Sequence, residues 1–262
     1  MATNSTVGTL GIAAVLCVVC SILVSTTAVK LKPLQEQNKT LDIKKNLLMS
    51  AGLLKNSKAT KSEILSAFEK VDVKVVDLES GSVLEGVDPN KVDLKKEAKD
   101  PNFNIIIPGN KDIAKIKTRA KRSKVYFVQD SGEVSMIVLP VYGKGLWSTM
   151  YGFLALAPDT KTVKGFGFYE HGETPGLGGE IDNPRWKSLW KGKELFGENF
   201  EPVITIVKGA VDHSADGSQS KMDSLSGATI TSKGVESLLR YWVSKSGYGN
   251  FLEKFRNGEI QI

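Results

Sequence analysis

The sequence predicts an α+β protein in which one N-terminal membrane-spanning helix is followed by a mostly antiparallel sheet domain covered by helices. Three patterns carry this reading. Residues 7–29 form an apolar run without a charged side chain. β-branched and aromatic runs separated by turn signals recur between residues 124 and 207, and residues 233–243 place Val235, Leu238, Leu239 and Trp242 on one face of a helix.

The first run is about 23 residues long, enough to cross a hydrocarbon core of about 30 Å as a helix. A cleaved signal peptide is the rival, but residues 1–6 lack the basic n-region it needs and the apolar run exceeds a typical h-region. Cys17 and Cys20, the only cysteines, lie within the span. They read as small apolar residues, since two thiols do not make a metal site, and Leu16 and Val19 before them do not suit a lipoprotein box. Beyond Pro33, residues 34–54 are polar with a helical pattern, and 60–71 form a short amphipathic helix starting at a Ser or Thr cap. Residues 73–76 predict a strand, and 88–112, rich in Pro, Asn and Lys, predict a long surface excursion.

Strands are expected at 124–128, 133–142, 147–157, 162–169 and 203–207, with turns at Asp130-Ser131-Gly132 and Pro158-Asp159. Short connections favour antiparallel pairing. Helices at about 184–191, 233–243 and 250–255 would cover the sheet. The expected organisation is an anchor in 1–32, a mixed elaboration in 33–122 and a sheet domain in 123–262. The 262 residues carry a modest net charge of +6. Lys and Arg are densest in 111–124, but Asp112 interrupts them and no aromatics alternate with them, so a solvated surface is expected and no nucleic acid.

Three clusters are candidates for chemistry. Tyr142-Gly143-Lys144-Gly145-Leu146-Trp147 lacks the spacing of a phosphate-wrapping P-loop, and a hairpin turn with a core tryptophan accounts for it. His171-Gly172-Glu173-Thr174-Pro175-Gly176-Leu177-Gly178 is a shaped loop whose glycines let backbone approach a flat ligand. His171 and Glu173 do not predict a metal site: the order is not His-Glu-x-x-His, the other histidine is His213, and no cysteine lies outside the span. The third, Asp223-Ser224-Leu225-Ser226-Gly227-Ala228-Thr229, precedes the helix at 233–243, with Thr231 or Ser232 as the expected N-cap. Unpaired N–H groups at a helix start, reached over Gly227 and Ala228, suit an anion, although capping and turn chemistry alone account for the same residues.

Asp223, Ser226, Gly227, Ala228 and Thr229 match Asp-x-x-(Ser/Thr)-Gly-Ala-Thr, and residues 171–178 match His-x-Glu-Thr-Pro-Gly-Leu-Gly. In these strings the chain resembles the NqrC family, the flavin-bearing C subunits of the sodium-translocating NADH:quinone reductases, and more distantly the RnfG subunits of the RNF complex. The resemblance covers the anchor and about 133–255. It implies FMN joined by a phosphoester to Thr229, with Ser226, Gly227 and Ala228 around the attachment point and Glu173, Thr174, Leu177 and His171 against the flavin. It further implies an electron carrier with no catalytic side chain, attachment by a separate flavin transferase, and partners in a complex that couples NADH oxidation and quinone reduction to sodium export. The long insert between anchor and sheet favours the NqrC family over the compact RNF relative. A cofactor-free anchored scaffold is the alternative from another class. Lys30, Lys32, Lys39, Lys44 and Lys45 after the span favour a cytoplasmic domain by the positive-inside tendency. The resemblance implies the opposite, a domain on the periplasmic side of the bacterial inner membrane, and is given the greater weight.

Overall fold

The computed structural model describes residues 6–54, 58–212 and 214–260, so His213 lies outside the described residues. The chain forms two compact units, Met1–Ile43 and Lys44–Ile262.

The described residues of the first unit are all helix. Helix α1 runs over Thr6–Ser50 without a break, with Pro33 inside it. The boundary expected at Pro33 therefore falls within a helix: proline removes one N–H from the ladder, and the hydrogen bonds on either side carry across the gap. What ends α1 is Gly52, at φ +71°, with the Leu53 N–H donating back to the Leu48 carbonyl at 2.9 Å. The helix is long and apolar enough to cross a membrane, and its apolar side chains from Val7 to Val29 are exposed along the window that would do so. The last turns of α1 belong to the second unit, where Leu47 and Leu48 are buried.

In the second unit, helix α2 (Lys61–Phe68) starts at Thr60 with a reciprocal capping box to Glu63. Strand β1 (Val71–Asp77) follows, then helix α3 (Leu94–Glu97), capped by Asp93, and a small hairpin of β2 (Asn104–Ile106) and β3 (Thr118–Ala120). Strands β4 (Arg122–Asp130), β5 (Glu133–Lys144), β6 (Thr149–Leu156) and β7 (Val163–Glu170) form an antiparallel meander, and β1 adds antiparallel to β4. The sheet order is β1-β4-β5-β6-β7, so β5 is central and its residues 137–143 are buried on both faces.

Helix α4 (Pro184–Ser188) precedes a second small ladder, in which β8 (Thr205–Val207) pairs parallel to β9 (Lys221–Asp223). Residues 203–207 were expected in the main sheet; they leave it to pair with β9, a strand too short to show a periodicity of its own. Helices α5 (Thr229–Val243) and α6 (Gly249–Arg256) close the core. The α5 stripe of Val235, Leu238, Leu239 and Trp242 is fully buried, each side chain contributing about 1.5–3 kcal/mol of apolar burial. Trp242 also donates its indole N–H to the Tyr142 carbonyl of β5 at 2.7 Å, which fixes α5 across the end of the central strand. On the insert side, Arg122 forks onto the buried Glu97 carboxylate, with Nη2 to Oε1 at 2.8 Å and Nε to Oε2 at 3.1 Å.

Candidate functional site

The candidate site forms where the end of β5, the loop after β7 and the start of α5 meet, and the Glu173 carboxylate joins the three. Backbone N–H groups of Trp147 and Ser148 donate to Oε1 at 3.0 Å each, and that of Leu146 donates to Oε2 at 3.1 Å. The Ser148 hydroxyl adds a bond to Oε1 at 3.3 Å, and the Thr231 hydroxyl, from the first turn of α5, donates to Oε2 at 2.7 Å. Burial by itself would raise the Glu173 pKa, but the bonds from Thr231, Ser148, Trp147 and Leu146 outweigh it and hold the carboxyl below the usual carboxylate range.

Two glycines make room for this carboxylate. A Cβ on Gly145 would stand 2.6 Å from Oε1, and one on Gly178 would stand 2.6 Å from the Thr231 hydroxyl and 3.0 Å from Oε2. Gly145 and Gly178 therefore let backbone close around a buried carboxylate. Because the N–H groups of residues 146–148 turn inward to Glu173, this segment is a loop, and β6 starts at Thr149 rather than at 147 as expected.

His171 holds the same loop from outside. Its Nδ1 accepts the Glu173 N–H at 3.2 Å, which leaves Nε2 to donate to Asp182 Oδ2 at 2.8 Å. Lys187 pairs with the other oxygen of Asp182 at 3.1 Å. The Thr174 carbonyl accepts from Leu177 and Gly179, closing a turn whose outer residues, Thr174, Pro175, Gly176 and Leu177, are exposed. Glu173 was expected against a ligand; the residue is 5% exposed, and its oxygens accept from five protein donors.

The third segment is a turn with the Ala228 N–H donating to the Leu225 carbonyl at 3.2 Å and Gly227 at φ +71°, a backbone angle that suits glycine. A Cβ there would meet the Leu177 side chain at 3.1 Å, so the two loops touch at Gly227 and Leu177. Asp223 holds the approach: its Oδ1 accepts the Val211 N–H at 2.7 Å and its carbonyl accepts the Trp186 indole at 3.0 Å.

Helix α5 begins at Thr229, four residues earlier than the periodicity predicts, with Ala228 at the N-cap position and no side-chain cap. The hydroxyls expected to cap it are committed elsewhere, Thr231 to Glu173 and Ser232 to the N–H of Leu225 at 3.0 Å. The first-turn N–H groups of α5 thus face outward from an uncapped helix end beside the exposed Ser226, Gly227 and Thr229. Around them stand four exposed apolar side chains: Leu146, Trp147, Leu177 and Ile230. An uncapped helix start suits a phosphate, and a surrounding apolar rim suits a flat ring system, so the residues present fit FMN.

Thr231 as the partner of Glu173 and Ile230 in the rim were not foreseen as site residues, and Trp147, expected in the core, is 67% exposed in the rim. Ile230 carried a signal, an apolar residue standing off the stripe that faces the core. The bond between Thr231 and Glu173 spans 58 residues and has no local trace.

An FMN-binding domain family model matches residues 145–244, which contain all three segments. The chain is 47% identical to the C subunit of the Na(+)-translocating NADH-quinone reductase of Pseudomonas aeruginosa, covering 98% of each chain. It is 45% identical to that of Haemophilus ducreyi, over 97% of this chain and 95% of the relative. Among solved structures, the crystal structure of Shewanella oneidensis NqrC superposes with a TM-score of 0.76 at 36% identity, covering 84% of this chain and 99% of that one.

Proposed function

The chain belongs to the NqrC family, the C subunits of the Na(+)-translocating NADH-quinone reductases, and from that premise we propose that it is a membrane-anchored electron carrier with FMN esterified through its phosphate to the Thr229 hydroxyl. The single observation that carries the attachment point is the uncapped start of α5, where Thr229 is exposed at the first helical position while Thr231 and Ser232 are buried in other bonds. A phosphoester there lies at the positive end of the helix dipole, with first-turn N–H groups to receive its oxygens and no Cβ at Gly227 to obstruct it. Ser226 and Ala228 border the attachment point. Leu177, Leu146, Trp147 and Ile230 offer apolar contact to the ring, and Thr174 lies exposed on the same loop as Leu177. Glu173 and His171 are positioning residues that fix the loops on either side. Bound FMN supplies the redox chemistry, taking up and returning electrons, and the protein's part is to hold it, orient it and shield one side from water.

In this reading residues 1–32 anchor the chain in the bacterial inner membrane, 33–122 elaborate the domain, and 123–262 carry the flavin on the periplasmic side. A separate flavin transferase makes the ester, since a threonine hydroxyl is a weak nucleophile without an activating base. The other subunits of the reductase donate and receive the electrons, in a cycle that reduces quinone and exports sodium. Denatured chain from the native host is expected to fluoresce as a flavoprotein on a gel, with the flavin mass on the peptide containing Thr229, and Thr229→Ala is expected to abolish both. A dark wild-type band with unmodified Thr229 would overturn the proposal.

A further inference from the structure

The hairpin of β2 and β3 is not explained by holding a cofactor. Its tip, residues 107–117, carries Lys111, Lys115 and Lys117 with exposed side chains, and among the described residues none of the three is in an ion pair. Asp112, the tip's one carboxylate, turns inward, accepting the N–H groups of Ile116 at 2.9 Å and Lys117 at 2.8 Å. Asp100, before the hairpin, is likewise occupied by the Asn102 N–H at 2.9 Å. Three ammonium groups against the one carboxylate of Asp112 leave the 107–117 tip net positive. Ile113, 46% exposed, lies between Lys111 and Lys115 in the chain, and Ile106, 82% exposed, ends β2 just before the tip. Apolar points within a charged border are the composition of a recognition surface.

The backbone adds a second observation. Lys115 and Lys117 both occupy the left-handed region, at φ 54° and 65°, where glycine or asparagine is the ordinary choice. The chain keeps lysine at two positions whose backbone disfavours it, as expected where the side chain itself is used. The tip is also fastened to the candidate site: the Lys144 N–H donates to the Ala114 carbonyl at 2.9 Å, and the Lys144 ammonium donates to the Trp147 carbonyl at 2.9 Å. A macromolecule seated on the tip thus lies beside the Leu146 and Trp147 side of the site.

We propose that the 107–117 tip is a docking surface for an acidic protein face, that of the partner which exchanges electrons with the flavin. This rests on the carrier reading above. Continuity of the tip with the segment bordering the flavin favours a protein partner over a lipid surface, because electron exchange requires the partner to come close to the ring and the lysines then steer it there.

The test uses the membrane-embedded complex carrying K111E/K115E/K117E, with K111Q/K115G/K117G as a second variant that relieves the backbone instead of straining it. Four quantities are read: in-gel covalent flavin, quinone-reductase turnover against ionic strength, recovery of the other subunits with a tagged chain, and binding of phosphatidylglycerol vesicles. Both variants are expected to keep full flavin. Turnover at low salt should fall about tenfold in the charge reversal and less in the neutral variant, and the decline with rising salt expected of the wild type should be lost. Unchanged turnover and salt dependence in both variants would overturn the proposal. So would a loss confined to binding of phosphatidylglycerol vesicles with turnover intact, which would assign the tip to lipid. A wild-type chain without covalent flavin would defeat the carrier reading alone, and subunit recovery would then decide the docking surface, loss in the charge reversal supporting it and full recovery overturning it.

Discussion

Thr231, whose hydroxyl is buried against Glu173, lies two positions along the chain from Thr229, which faces solvent at an uncapped helix start. The 171–179 loop and the segment it grips at 146–148 spend their polar groups on one another: three N–H groups and the Ser148 hydroxyl converge on a single carboxylate, joined by the Thr231 hydroxyl from α5. The turn at 225–229 does the reverse, committing Ser232 to the turn and leaving the helix end open. One loop is closed and so defines positions; the other is open at the helix start, where the attachment is proposed. A surface with a single rigid side holds its geometry while remaining accessible, which is what attachment by an external enzyme requires.

The closed side is the place to break this arrangement. Glu173→Ala leaves buried donors without an acceptor and should destabilise the detergent-solubilised chain by roughly 3 kcal/mol or more, measured by chemical denaturation. Thr229→Ala, on the open side, should change stability by no more than about 0.5 kcal/mol in the same measurement.

Titration sharpens the contrast. The Glu173 pKa is held below the unfolded carboxylate value of about 4.3, so between the two values the unfolded chain binds the extra proton. Its stabilisation is complete above the unfolded value and is lost as pH falls through the folded one. Melting temperatures of wild type and Glu173→Gln should differ most near neutral pH and converge in acid; a gap that does not narrow as pH is lowered would show that the charge is not what the loop uses.

Smaller effects follow at the glycines. Gly145→Ala drives a methyl against a carboxylate that five bonds prevent from moving and should cost about 1–3 kcal/mol. Gly227→Ala, which strains only the open turn at φ +71°, should cost about 1 kcal/mol and be read best as slower flavin incorporation. Equal losses at the two glycines would erase the distinction between the loops.

The parts legible in the sequence were those set by short-range pattern. The meander from β4 to β7, the apolar stripe of α5 and the Thr60 cap announce themselves through periods of 2 and 3.6 and through local capping chemistry. The role of Glu173 did not, because its donors lie 25–27 residues before it and 58 after, and nothing nearby in the chain marks a carboxylate as buried. The start of α5 was misplaced for the same reason: Thr231 and Ser232 look like caps until their distant and turn partners are known. The β8–β9 ladder was missed because three-residue strands are too short to alternate visibly.

Thr231 and Ser232 are each 1% exposed, so of the three hydroxyls in the first turn of α5 only that of Thr229 is within reach of a macromolecular reagent. For the esterification proposed at Thr229, the fold acts as a chemist's protecting group, masking two competing alcohols by burial, so that regioselectivity would be in part a property of the substrate before any catalyst is chosen.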